Sequence, residues 1–175
     1  MRLRPTATGI LSSQTTKMAK PGTMLPEPTH RIFSLTEFAA NVGGTIHLLP
    51  LIVVTYKHIA LFFVADRTLH EPHPLFQKFA AVCKPFGANL RPVILARAYR
   101  IGGFRKPNWA TDDIFFLATN TYLTEQGYGL NGKCEMGLII VRPDGYIAYS
   151  TTVDANGNAF DEMETWLAAT LVKSD

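Results

Sequence analysis

The stretch Ile139–Ser150, "IIVRPDGYIAYS", limits the fold before any other segment is considered. An aliphatic run leads into Pro143-Asp144-Gly145, and a second apolar run leaves it. Proline pre-sets φ, aspartate closes a local hydrogen bond to its own backbone, and glycine accepts φ > 0, so the segment reads as a tight antiparallel hairpin. A chain with such a hairpin near its end must build a sheet around it.

Working backwards from the hairpin, the apolar periodicity alternates between strand and helix. Ile46–Thr55 and Ile59–Ala65 are continuous apolar runs of strand length, the pattern of strands buried on both faces. In "PHPLFQKFAAVCKPFG", Leu75, Phe76, Phe79, Val82 and Cys83 share one helical face, Pro74 suits the first turn and Gly87 the stop. "RPVILARAYRI" reads as a further strand, with Val93 and Leu95 inward. "TDDIFFLATNTYLTEQG" reads as a helix capped by Thr111, with Asp112 and Asp113 in its first turn and Gly127 at its end. "SLTEFAANVGG" carries a capping box between Ser34 and Glu37. In "NAFDEMETWLAATLVK", Phe160, Met163, Leu167 and Leu171 form a stripe, and the acids gather towards the N-terminus. Strand, helix, strand, helix, hairpin, helix gives an α/β fold: a mixed sheet with helices on both faces, in the thioredoxin-like order.

At 175 residues, nearly half of them apolar, the chain is one globular domain. The net charge of +3 comes from the first 29 residues, where Arg2, Arg4, Lys17 and Lys20 face only Glu27. The remainder is neutral, which argues against a nucleic-acid partner. The segment 1–29 reads as a disordered extension and 30–175 as the domain. No apolar run reaches the ~18 residues of a membrane span, so the expected home is the cytoplasm. Cys83 and Cys134 make neither a C-x-x-C pair nor a metal set, and read as buried thiols.

Val141-Arg142-Pro143-Asp144-Gly145-Tyr146-Ile147-Ala148 resembles the motif that closes the C-terminal, thioredoxin-like domain of the FAD-dependent phenol hydroxylases and related aromatic hydroxylases. With the order of elements, the resemblance extends from about Ile46 to Ala169. It implies a homodimer, a possible flavin monooxygenase partner, and a domain standing apart from any flavin, since no G-x-G-x-x-G fingerprint is present. Where thioredoxins carry C-x-x-C the chain reads "VADRTLHEPHP". No thiol stands there, and disulfide exchange needs a low-pKa thiol at that helix N-terminus, so redox activity is not expected of this chain.

The same segment gathers Asp66, Arg67, His70, Glu71 and His73 at the carboxyl end of a strand and the start of a helix, where α/β sheets bind ligands. Histidine beside carboxylate provides acid–base chemistry near neutral pH. Asp66, His70, Glu71 and His73 are the candidate catalytic residues, with Arg67, Tyr149 and Phe115 as candidate substrate contacts; a solvated polar loop is the plainer account of the same residues. H-x-x-H with one glutamate lacks zincin geometry, so no metal is expected, and no cofactor. These residues, together with the resemblance, point to a cofactor-independent isomerase or cyclase acting on a small hydrophobic biosynthetic intermediate, such as an epoxide made by a partner monooxygenase. The alternative is a non-catalytic dimerisation or assembly module.

Overall fold

A computed structural model describes residues 20–25, 32–34, 56–64, 74–97, 115–118 and 136–173. Among them are six strands and two helices: β1 (Ile32–Ser34), β2 (His58–Val64), α1 (Pro74–Cys83), β3 (Leu90–Arg97), β4 (Phe115–Ala118), β5 (Met136–Val141), β6 (Ile147–Thr152) and α2 (Asn158–Thr170). The strands form one mixed sheet in the order β1-β4-β3-β2-β5-β6. β2 runs parallel to β3, and β3 parallel to β4; β5 is antiparallel to β2, β6 to β5, and β1 to β4.

The centre of the sheet is buried on both faces, as its continuous apolar strands require. Ala60, Phe62, Leu90, Ile94, Leu138 and Ile140 belong to the cluster that meets α1 and α2. Ile59, Leu61, Phe63, Val93, Leu95, Ile139 and Val141 alternate with them and are equally inaccessible. Val93 and Leu95 are therefore buried as expected, and so are their neighbours Leu90 and Ile94.

α1 begins with proline at its first position, where the missing N–H is an orphan in any helix. It buries Leu75, Phe76, Phe79 and Cys83. α2 buries Ala159, Phe160, Met163 and Leu167. The two helices meet over Phe62, whose ring lies 5.9 Å from Phe76, 5.4 Å from Phe79 and 5.1 Å from Phe160. Lys78 joins them at the surface, with Nζ donating to the Gly157 carbonyl at 3.1 Å and 3.2 Å from an Asp161 carboxylate oxygen.

The hairpin forms as its turn chemistry requires. Ile139 lies opposite Ser150 and Ile140 opposite Tyr149, with a bulge before Val141 meets Ile147. Gly145 takes φ 85°. Asp144 accepts from the Tyr146 N–H and pairs with Arg142 across the turn.

Two elements differ from their sequence reading. Ile32–Ser34 is a strand, with Ser34, read above as a helix cap, paired with Phe116. Phe115–Ala118, assigned above to a helix running to Gly127, is a strand. A short apolar run carries no periodicity that separates buried strand from buried helix. Here pairing decides: Ile94 lies in register with Phe115 on one side, and Ser34 with Phe116 on the other. Residues 35–55, with the expected helix after Ser34 and the strand from Ile46, lie outside the described residues, as does the domain boundary at residue 30.

His58, at the amino end of β2, is half-buried and adjoins the hairpin turn. Burial first, and the Arg142 charge second, hold its pKa below the ordinary value near 6.5, while Asp144 pulls the other way. The folded state therefore disfavours the imidazolium. Above about pH 7 this costs nothing; as pH falls through the unfolded value, the unfolded chain binds the proton first and stability declines, levelling off once the folded pKa is passed. Replacing His58→Gln should flatten the fall in urea midpoint between pH 7.5 and pH 5, and an unchanged slope would assign that fall to other groups.

Candidate functional site

Three parallel strands end along one edge of the sheet. Val64, the last residue of β2, is in register with Ala96 of β3 and with Met136, where β5 begins. Arg97 closes β3 opposite Ala118 at the end of β4. From Val64 the chain leaves through residues 65–73 and re-enters the fold at Pro74, the first residue of α1. Position along the chain thus sets the polar connection at the carboxyl end of the parallel strands. Asp66, Arg67, His70, Glu71 and His73 all belong to it and lie outside the described residues, as do Asp112, Asp113 and Cys134.

The two remaining candidates are not brought together. Phe115 opens β4 and Tyr149 sits in β6, with β3, β2 and β5 between them. Four inter-strand spacings of about 4.8 Å put them roughly 19 Å apart, too far to share one small substrate. Tyr149 lies at the edge of the α1–α2 core, its ring 5.7 Å from that of Trp166. Burial and the Glu162 charge raise its pKa, against a hydrogen bond with Thr151. Its surroundings are those of a packing residue at the margin of the core.

Cys83 ends α1 at 1% exposure, a free thiol. Burial pushes its pKa far above the ordinary thiol range. A thiolate is the nucleophile in thiol chemistry, and Cys83 does not become one in the folded protein. It also stands at the opposite end of α1 from the helix N-terminus, where electropositive backbone would favour the anion. Among the described residues no group of three His, Cys, Asp or Glu could hold a metal ion, and no helix is long and apolar enough to cross a membrane.

No family model matches the chain, and no curated protein sequence matches it. Solved structures do. A thiol peroxidase from Chromobacterium violaceum superposes with a TM-score of 0.56 at 12% identity, covering 87% of this chain and 88% of its own. AhpC of Mycobacterium tuberculosis gives a TM-score of 0.57 at 17% identity, covering 87% of this chain and 98% of its own. A putative protein disulfide isomerase from Bacteroides thetaiotaomicron gives 0.56 at 16%, covering 87% and 90%. The fold is thioredoxin-like.

These neighbours also correct the functional expectation. The sequence reading took the chain for a cofactor-independent isomerase or cyclase, or for an assembly module. The structures that share its fold over nearly their whole length are named for thiol redox activities, and neither expectation finds support among them. The assignment rested on acid–base residues and a resemblance carried by one turn, and such groups are equally at home beside a reactive thiol. Cys134, read above as a buried thiol, lies two residues before Met136, where β5 joins the end of β2.

Proposed function

We propose that this chain is a thioredoxin-fold thiol protein that reduces peroxides through Cys134, with the connection 65–73 supplying its charged and titratable groups. The observation that carries the reading is the register of Met136 with Val64. It puts the start of β5, two residues after Cys134, beside the strand that leads to Asp66, Arg67, His70, Glu71 and His73. The likeness to a thiol peroxidase supports the chemistry, and the burial of Cys83 leaves Cys134 as the thiol to carry it.

In this reading Arg67 favours the Cys134 thiolate, as a neighbouring cation does. The sulfur attacks the terminal oxygen of a peroxide, the O–O bond breaks, and the departing oxygen takes a proton from His70 or His73. The products are a sulfenic acid and an alcohol or water. Two equivalents of a small external thiol then restore Cys134, releasing water and a disulfide; buried Cys83 does not resolve the sulfenic acid. Free Cys83 suits a reducing compartment, the cytoplasm, and the active unit is a homodimer.

The test is peroxide consumption with glutathione or dithiothreitol as reductant. Cys134→Ser should lower the rate by at least about 100-fold, and Cys83→Ser should leave it within about twofold while the protein stays folded. Equal rates in wild type and Cys134→Ser would reject the proposal.

A further inference from the structure

Among the described residues β6 is the outermost strand at its end of the sheet, yet part of its outer side is occupied. Lys20–Leu25 runs antiparallel to the hairpin, with Met24 bridging Tyr146. Three backbone hydrogen bonds hold it: Gly22 N–H to the Ile147 carbonyl at 2.7 Å, Leu25 N–H to the Gly145 carbonyl at 2.9 Å, and Ile147 N–H to the Thr23 carbonyl at 2.9 Å. Leu25 is 2% exposed. Before Gly22 the chain turns: the Thr23 N–H and hydroxyl both donate to the Lys20 carbonyl. This is a short strap with one apolar anchor.

We infer that Lys20–Leu25 is an edge guard, and that its release lets β6 pair with β6 of a second copy. Without the strap, Gly145 and Ile147 would present three unpaired backbone groups beside the slot that Leu25 fills. Exposed strand groups of this kind are a template for another strand. The occupant is argued from the edge itself. Tyr146–Thr152 carries no charged side chain, so a two-fold arrangement sets no like charges against one another, and no edge lysine or proline opposes pairing. The inference rests on the strap's hydrogen bonds and is independent of the Cys134 chemistry.

Sedimentation velocity between about 2 and 100 µM tests it on three forms: the full chain, a chain lacking residues 1–19, and one lacking residues 1–25. The first two should keep one concentration-independent sedimentation coefficient. The third should associate further, its average mass rising at least twofold, and a synthetic peptide of residues 18–27 should reverse the rise. Leu25→Asp in the full chain, which evicts the anchor while keeping the length, should behave as the shorter deletion product does. Unchanged association in both the 1–25 deletion and Leu25→Asp, with folding confirmed by circular dichroism, would overturn the inference. So would association already present on loss of residues 1–19, or a rise that the peptide leaves intact.

Discussion

Phe62→Ala is expected to cost about 3–5 kcal/mol, the range for deleting a fully buried phenylalanine. Phe62 is wholly inaccessible and stands at the convergence of β2, α1 and α2. Its ring meets Phe76 and Phe160 edge-on and Phe79 at a tilt, and Phe79 and Phe160 are themselves 5.8 Å apart. Removing the central ring therefore strips contacts from three others at once. They sit on two helices, Phe76 and Phe79 on α1 and Phe160 on α2, so no single rotamer change fills the void. Domains of this size are stable by only about 5–15 kcal/mol. A urea midpoint lowered by about 1.5–2.5 M, at a slope of about 2 kcal/mol/M, is the expected reading. Tyr56→Ala, at an 84% exposed position, should shift the midpoint by no more than the about ±0.5 kcal/mol of a surface change. Comparable losses in the two variants would mean that the cluster does not hold the helices to the sheet.

Gly157→Val should be nearly as damaging, for a different reason. Gly157 precedes α2 with φ 69° and ψ 30°, the left-handed region, which costs a residue with a Cβ about 1–2 kcal/mol. A Cβ there would also lie 2.7 Å from Leu75 Cδ2 and 3.1 Å from Phe160 Cδ2. Leu75 is in the first turn of α1, so the clash pushes the two helices apart, and overpacking of this kind adds about 1–3 kcal/mol. Asp154 holds the same junction from outside, accepting from the Asn158 N–H and side-chain amide. Gly157→Ala should show the backbone cost and part of the clash, and valine the full sum. Alanine and valine variants as stable as wild type by urea titration would remove the tight junction from the account of the fold.

Local chemistry was legible in the sequence wherever a segment decides its own structure. The turn at Pro143-Asp144-Gly145 needs only proline, aspartate and glycine in that order, and it formed with the expected strands on either side. The stripe of Phe160, Met163 and Leu167 specified α2 and its buried face, and Pro74 with Leu75, Phe76 and Phe79 did the same for α1. The order of these elements sufficed for the thioredoxin-like fold, because a strand–helix–strand unit and a closing hairpin can share one sheet in few ways.

Tertiary structure decided what depends on partners far away in the chain. Phe115–Ala118 is a strand because β1 and β3 flank it, and nothing within "IFFLAT" distinguishes strand from helix. Cys83 belongs to the buried cluster and burial raises its pKa, which its place at the end of a helical stripe shows only in part. Tyr149 and Phe115, both plausible pocket residues in one dimension, fall on strands separated by three others. Lys20–Leu25 reads as part of a polar tail, yet it docks on a hairpin more than 100 residues later, through backbone hydrogen bonds that no side-chain pattern announces. Side-chain periodicity records which face of a segment is buried; which segments lie beside one another is settled when backbone groups and apolar faces find partners across the whole chain.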